Sequence, residues 1–428
     1  MNNKKLSVAE DRKINGWNPP ASGKLKYILA SVGPAALGVG LSMGPGSIGS
    51  ALKLGALSGY RMLWVMLIIA LAMAAETYST NYIIYGSHIE GEKASTLIQL
   101  FNKKIGKIPS FIITAPVALA FCFVLMSQGT LIGTIVHDLL PFIPAKVAMV
   151  LAGPVIALLF SHSFDAVKKI FKYMIGFLTL LFLVNGIVCA PNFIACLKGL
   201  VPSLPKSSGE AIAFAGVVGG SCGGVTFILQ SYGIRNSGLT EKKHLPLVRI
   251  DTLVTCLMFF VWNIGIYISA AAVLNPAGVE VKSALQAALA LEPLAGSFAK
   301  YIMLLGILAA CITSAGGVCT LNSCIIADVL GKEPNPKENP WMKKINIALC
   351  LVVSLSIFYG NFSSMDFVVA VMSCMTLAGP FVCIGILYLM LHKDIMKVKV
   401  PTWQILVTIL ILGFNLYAAY NALLGLIG

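Results

Sequence analysis

Long apolar runs alternate with short polar connectors along the whole chain. Eleven of these runs approach or exceed the roughly 20 residues that a helix needs to cross a hydrocarbon core of about 30 Å. They lie at 29–56, 62–86, 110–137, 146–163, 171–193, 211–233, 250–273, 298–330, 346–361, 366–391 and 403–426. Runs this long and this uniformly apolar predict helices, because barrel strands are shorter and alternate in polarity. The polar remainder is a tail over 1–28 and connectors near 87–109, 274–297 and 331–345. The expected fold is therefore an all-α polytopic membrane protein. Residues 29–428 form one transmembrane domain behind the tail, and no separate soluble domain is left over.

Composition agrees. Of 428 residues, 57% are hydrophobic and 11% charged, too few charges to cover a soluble surface. The net charge of +14 would suggest a nucleic-acid partner if it were concentrated on one face. Instead, 24 of the 31 Lys and Arg fall in alternate connectors, which the positive-inside rule explains. That bias places the tail in the cytoplasm and the C-terminus outside. Compact size and short loops point to a bacterial inner membrane. Eleven cysteines without a CxxC spacing argue against a disulfide framework or a zinc site. The first 26 residues are polar and basic, unlike a signal peptide. There is no phosphate-binding loop and no nucleophile–base pair within the spans, so neither a nucleotide-driven pump nor an enzyme is expected, and no cofactor. The expected partners are the lipid bilayer, a small-molecule solute and a coupling proton or sodium ion.

Two of the spans are poor helices. The first carries Gly44-Pro45-Gly46 in its middle, and the sixth carries Gly219-Gly220-Ser221-Cys222-Gly223-Gly224. Proline removes a hydrogen bond and glycine adds backbone freedom. Unwound backbone cannot face lipid, so both stretches should line an enclosed cavity. Spans 1 and 6 correspond if spans 1–5 and 6–10 are inverted repeats, with span 11 extra. In transporters built this way, the substrate sits at midplane between the two broken helices. Close helix packing alone would need neither Pro45 nor four glycines in six residues.

The run from Gly33 to Tyr60, GPAALGVGLSMGPGSIGSALKLGALSGY, followed by Leu63-Trp64, resembles the first helix of the Nramp (natural resistance-associated macrophage protein) family. Arg249-Ile250-Asp251-Thr252, Ala271-Ala272-Val273, Gly306-Ile-Leu-Ala-Ala with Thr313-Ser314, and Leu377-Ala-Gly-Pro380-Phe381 match in order. The resemblance implies a leucine-transporter-type fold with helices 1 and 6 broken at midplane, and proton-coupled uptake of divalent transition metals. Residue by residue, the chemistry differs. The family's Asp-Pro-Gly-Asn falls on Gly44-Pro45-Gly46-Ser47, and its Met-Pro-His-Asn on Gly223-Gly224-Val225-Thr226. Its third-helix acidic pair falls near Ser127 and Thr130, and its tenth-helix Gln on Ala378.

A transition metal at midplane needs anionic or strong neutral donors. Of 17 acids, Glu76 alone sits well inside a span. Asp138, Asp165, Asp251, Asp328 and Asp366 lie near span ends, where a loop or snorkelling role is the plain reading. The missing side chains suggest an enlarged cavity lined by neutral polar groups. The expectation is therefore a secondary transporter of a small polar or zwitterionic, amino-acid-like solute rather than a metal. Its site is expected at Ser42, Gly44, Gly46, Ser47, Gly220, Ser221, Cys222, Gly223 and Thr226, with no metal ligand. Glu76 would receive a substrate amine or a coupling proton, since a bare intramembrane carboxylate is costly. The alternative is a proton-coupled divalent metal transporter, for manganese or magnesium, that uses backbone carbonyls and waters. A third reading is a receptor or structural membrane protein that transports nothing.

Overall fold

The computed structural model describes residues 42–88, 94–162, 177, 180–189, 191–335, 339–392 and 394–427. Among these, every regular element is helical. Helix α1 spans Pro45–Ser58, α2 Trp64–Ser87, α3 Leu97–Lys104, α4 Lys107–Leu139, α5 Ala145–His162, α6 Phe193–Gly199 and α7 Ser208–Cys222. Then follow α8 Val225–Ser237, α9 Leu245–Val273, α10 Ala299–Val329, α11 Trp341–Val352, α12 Ser364–Met375, α13 Gly379–Leu391 and α14 Thr402–Ile427. Eight helical runs among the described residues are long and apolar enough to cross a membrane, with α7–α8 and α12–α13 each forming one run. Helix α5 is apolar but shorter. The first part of the span expected at 171–193, the first part of the one expected at 29–56, and the tail over 1–28 lie largely or wholly outside the described residues.

The helices are polar inside and apolar outside. Helix α14 buries Gln404, Thr408 and Asn415 completely, yet leaves Leu406 57% and Leu410 71% exposed. A surface helix in water shows the opposite pattern. An apolar exterior of this extent is stable only against lipid.

Both ends of the bundle are tied by polar contacts. At one end, Lys53 of α1 pairs with Asp366 of α12, and Arg61 pairs with Glu210 of α7. At the other, where the more basic connectors lie, Asp328 of α10 is fully buried. It accepts hydrogen bonds from Thr96 at 2.5 Å, Gln99 at 2.9 Å and Tyr232 at 2.8 Å. Thr96 and Gln99 also form the capping box that starts α3, so one local motif both begins the helix and presents its donors. Arg235, near the end of α8, bridges Gln99 at 3.1 Å and Glu333 at 2.7 Å. The loop or snorkelling role read for Asp328 is corrected here. A carboxylate surrounded by three donors has no need of water, so it sits inside. Asp251 is likewise only 1% exposed.

Candidate functional site

The two glycine-rich stretches meet near the middle of the bundle. Pro45 opens α1, where its missing N–H costs nothing, and Gly44 precedes it in extended conformation. Helix α7 ends at Cys222, and α8 begins at Val225. Between them Gly224 adopts φ of 75°. A Cβ at Gly224 would also stand 2.9 Å from the Gly379 carbonyl oxygen. The left-handed backbone and the close approach of α13 both require glycine there. The interruption is braced from behind by α14, where Asn415 Nδ2 donates to the Cys222 carbonyl at 3.0 Å. Thr226 Oγ1 donates to the Ser221 carbonyl at 3.0 Å. Buried backbone acceptors at the interruption thus find partners without a continuous helix.

In front of the interruption lies a cavity of about 50 Å³. That is room for a small ion and on the order of two or three waters. Of the residues expected from the sequence, Ser42, Gly44, Gly46, Ser47, Gly220, Ser221, Gly223 and Thr226 line it. Cys222 is not among the lining residues. It is fully buried, and its neighbours include Glu76 and Cys383. Ser47 Oγ donates to Asn263 of α9 at 3.0 Å. Two buried oxygens of lining residues, Ser221 Oγ and Gln128 Oε1, have no hydrogen-bond partner.

Four polar or sulfur-bearing lining residues were missed as site residues: Gln128 of α4, Ser314 of α10, and Met372 and Met375 of α12. Gln128 Nε2 donates to Ser314 Oγ at 2.9 Å, and its buried Oε1 has no hydrogen-bond partner. An amide in the middle of an apolar span was the available signal for Gln128. The methionines gave no comparable signal, because their place depends on how α12 crosses α1 and α7. Met372 packs on α1 at Gly46, a position that is glycine in the family's motif as well. A Cβ on Gly46 would fall 2.7 Å from its Sδ and 2.8 Å from its Cγ.

Glu76 stands behind the interruption. It is fully buried on α2, against the Thr226 hydroxyl and the Gly224 N–H. Neither carboxylate oxygen makes a hydrogen bond of ordinary geometry. Three buried thiols on other helices, Cys222 of α7, Cys256 of α9 and Cys383 of α13, lie within electrostatic range of it. Ser127 and Thr130 bond back to carbonyls of their own helix, at 2.8 Å and 2.7 Å. Ala378 starts α13 and lies outside the lining. Among the described residues, no group of three or more His, Cys, Asp or Glu is placed to hold a metal ion.

A lipid-faced helical bundle with a small polar cavity beside the glycines of α1 and α7–α8 defines a polytopic membrane protein. Residues 37–425 match the family described as natural resistance-associated macrophage protein-like, and the chain belongs to the Nramp family. The divalent metal cation transporter MntH of Acidiphilium cryptum is 27% identical over 70% of this chain and 68% of its own length. The one from Caldanaerobacter subterraneus is 25% identical over 68% and 70%. A crystal structure of the Eremococcus coleocola manganese transporter superposes with a TM-score of 0.73 at 19% identity, covering 96% of this chain and 90% of that one. MHP1, a nucleobase-cation-symport-1 family transporter, gives 0.54 at 14% identity, with 92% of both chains covered. The last two likenesses speak for the fold alone.

These findings correct the cargo and partner read from the sequence. The relatives carry divalent metal cations in their names, which overturns the zwitterionic organic solute. The physical cause of the misreading is the backbone. Deleted side chains at Gly223 and Gly224 were taken as vacated volume, but a Cβ there would stand 3.1 Å from Gly219 and 2.9 Å from the Gly379 carbonyl oxygen, so neighbouring backbone closes on those positions.

Proposed function

We propose that this chain is a secondary transporter of a divalent metal cation, manganese or magnesium, which enters the cavity with part of its water shell. The observation that carries this reading is the pair of unpartnered oxygens, Ser221 Oγ and Gln128 Oε1, on residues that line a cavity sized for an ion and a few waters. Hard divalent cations take oxygen donors and tolerate retained water. Backbone carbonyls at Gly44, Gly46, Gly220 and Gly223, together with Ser42 and Ser47, complete an altered, largely neutral site. Family membership and the names of the relatives support the cargo class.

A double positive charge in low dielectric needs a countercharge nearby. Glu76 supplies it from behind the interruption and carries the coupling proton when the cavity is empty. In this reading α1, with the segment before it, and α7–α8 are the two interrupted helices of a five-plus-five inverted repeat, and eleven spans cross the membrane. The tail is cytoplasmic, the C-terminus is outside, and the membrane is a bacterial inner membrane. The test is uptake of radioactive manganese and of magnesium into proteoliposomes holding the purified chain. Saturable uptake of at least one ion, accelerated by a pH gradient, is expected. No flux of either would sink the reading.

A further inference from the structure

Helices α2 and α8 meet along a polar seam. Glu76 lies against the Thr226 hydroxyl and the Gly224 N–H. Further along α2, Thr80 Oγ1 donates to its own helix at Glu76 O, 2.9 Å away, and reaches Phe227 O of α8 at 3.3 Å. Beyond it, Gln230 Nε2 donates to Asn81 Oδ1 at 3.1 Å. The seam is closed to solvent, with none of Glu76, Thr80, Asn81, Thr226 and Gln230 more than 3% exposed. Each contact stands nearer than the last to the end of α2 at Ser87, where a basic connector follows. Several polar atoms here lack a partner: both Glu76 oxygens, Thr77 Oγ1, Asn81 Nδ2 and Gln230 Oε1.

The pair Asn81–Gln230 is half satisfied. One hydrogen bond is made, while the Asn81 amide N–H and the Gln230 amide oxygen stay open. Helix packing accounts for the bond but not for the open halves, which are costly at membrane depth. An open donor beside an open acceptor is the pairing that one water fills, accepting from the first and donating to the second. Glu76 precedes Asn81 by five residues on the same helix, about 7.5 Å at 1.5 Å per residue, a gap for on the order of two waters. The titratable groups around Glu76 are the thiols Cys222, Cys256 and Cys383, with Asp251 in range of Cys256. None of them lies on α8. Further along α8, Tyr232 is paired with Asp328 and Arg235 with Glu333. Between Glu76 and those pairs the seam offers neutral hydroxyls and amides. Helix α4 offers no comparable track, because Ser127 and Thr130 bond back to their own helix.

We propose that Asn81 and Gln230 hold the water through which Glu76 exchanges its proton with the basic end of the bundle, by a route separate from the cargo cavity. Neither amide lines that cavity. The proposal rests on the reading of Glu76 as the proton carrier and gives it a path. One proton moves and no electrons. The O–H bond of the Glu76 carboxyl breaks, an O–H bond forms on the adjoining water, and that water passes a proton to the one between the amides. Asn81 and Gln230 are positioning residues, acting through that water. The test is made on the full chain in proteoliposomes with a trapped pH dye, comparing the wild type with Asn81→Leu and Gln230→Met. Manganese and magnesium uptake and the proton flux they evoke are read together. In both variants the proton flux is expected to fall about 10-fold or more, with its dependence on a pH gradient lost, while uptake without a gradient stays within about 2-fold. Unchanged proton flux, or an equal fall in flux and uptake, overturns the proposal and leaves the metal reading standing. Wild-type uptake without any proton flux overturns the role of Glu76 and the route together. No uptake at all overturns the metal reading and the proposal with it. If neither variant folds, a density map of the wild type that resolves waters decides. A water within hydrogen-bond distance of Asn81 Nδ2 and Gln230 Oε1 is expected, and a direct, fully closed amide pair overturns the proposal.

Discussion

Among the described residues two carboxylates are fully buried, Glu76 beside the α7–α8 junction and Asp328 at the basic end of the bundle, and their surroundings differ sharply. Asp328 has three side-chain donors on its oxygens. Glu76 has none in ordinary geometry, although a hydroxyl and an N–H lie beside it. A charge enclosed by donors is a fastening, since its partners are left unpaired if it is removed. An enclosed charge without partners contributes little to holding helices together and stays available to something that comes and goes. Burial alone does not separate structural from working carboxylates in a membrane. Satisfaction of their oxygens does.

The contrast breaks most visibly at Asp328. Replacing it by Ala leaves the donors of Thr96, Gln99 and Tyr232 unmatched, with an expected loss of about 3–6 kcal/mol. Thermal unfolding of the purified protein in detergent should show a large drop in Tm. A near-unchanged Tm would remove the fastening role. Gly224→Ala comes next. Its left-handed φ and the approach of Gly379 should cost ~1–3 kcal/mol and abolish metal uptake, read by unfolding and flux on the same preparation. Asn415→Leu, which strips the brace from the Cys222 carbonyl, should cost about 1 kcal/mol and slow transport without changing which ions are carried. Glu76→Gln should have the smallest effect on stability, within ~1 kcal/mol of the wild type. It should nevertheless remove the effect of a pH gradient on uptake. If Glu76→Gln unfolds the protein while Asp328→Ala does not, the comparison is reversed and both roles fall.

The fold was largely legible because bilayer thickness writes itself into the sequence as apolar runs of fixed length. The change from α7 to α8 falls at Gly223-Gly224, where the sequence places its glycines, and the two helices still form one membrane-length run. The walls contributed by α4, α10 and α12 were not. Gln128, Ser314 and Met372 reach the cavity because of how helices cross, and spacing along one helix carries no record of its angle to another. Asp328 was misjudged because its distance from the span end was visible but its three donors were not. They come from α3 and α8, remote in the chain and adjacent in space. The cargo was misjudged through Gly223 and Gly224, where absent side chains were read as empty room although the backbone of Gly219 and Gly379 lies close against them.

The brace from Asn415 also bears on biogenesis. The carbonyl at the end of α7 finds its donor on α14, 193 residues further along the chain. During synthesis α7 and α8 enter the bilayer well before α14 emerges from the ribosome. Until the last helix docks, that carbonyl lacks its amide partner, so the midplane chamber is among the last features of the molecule to mature.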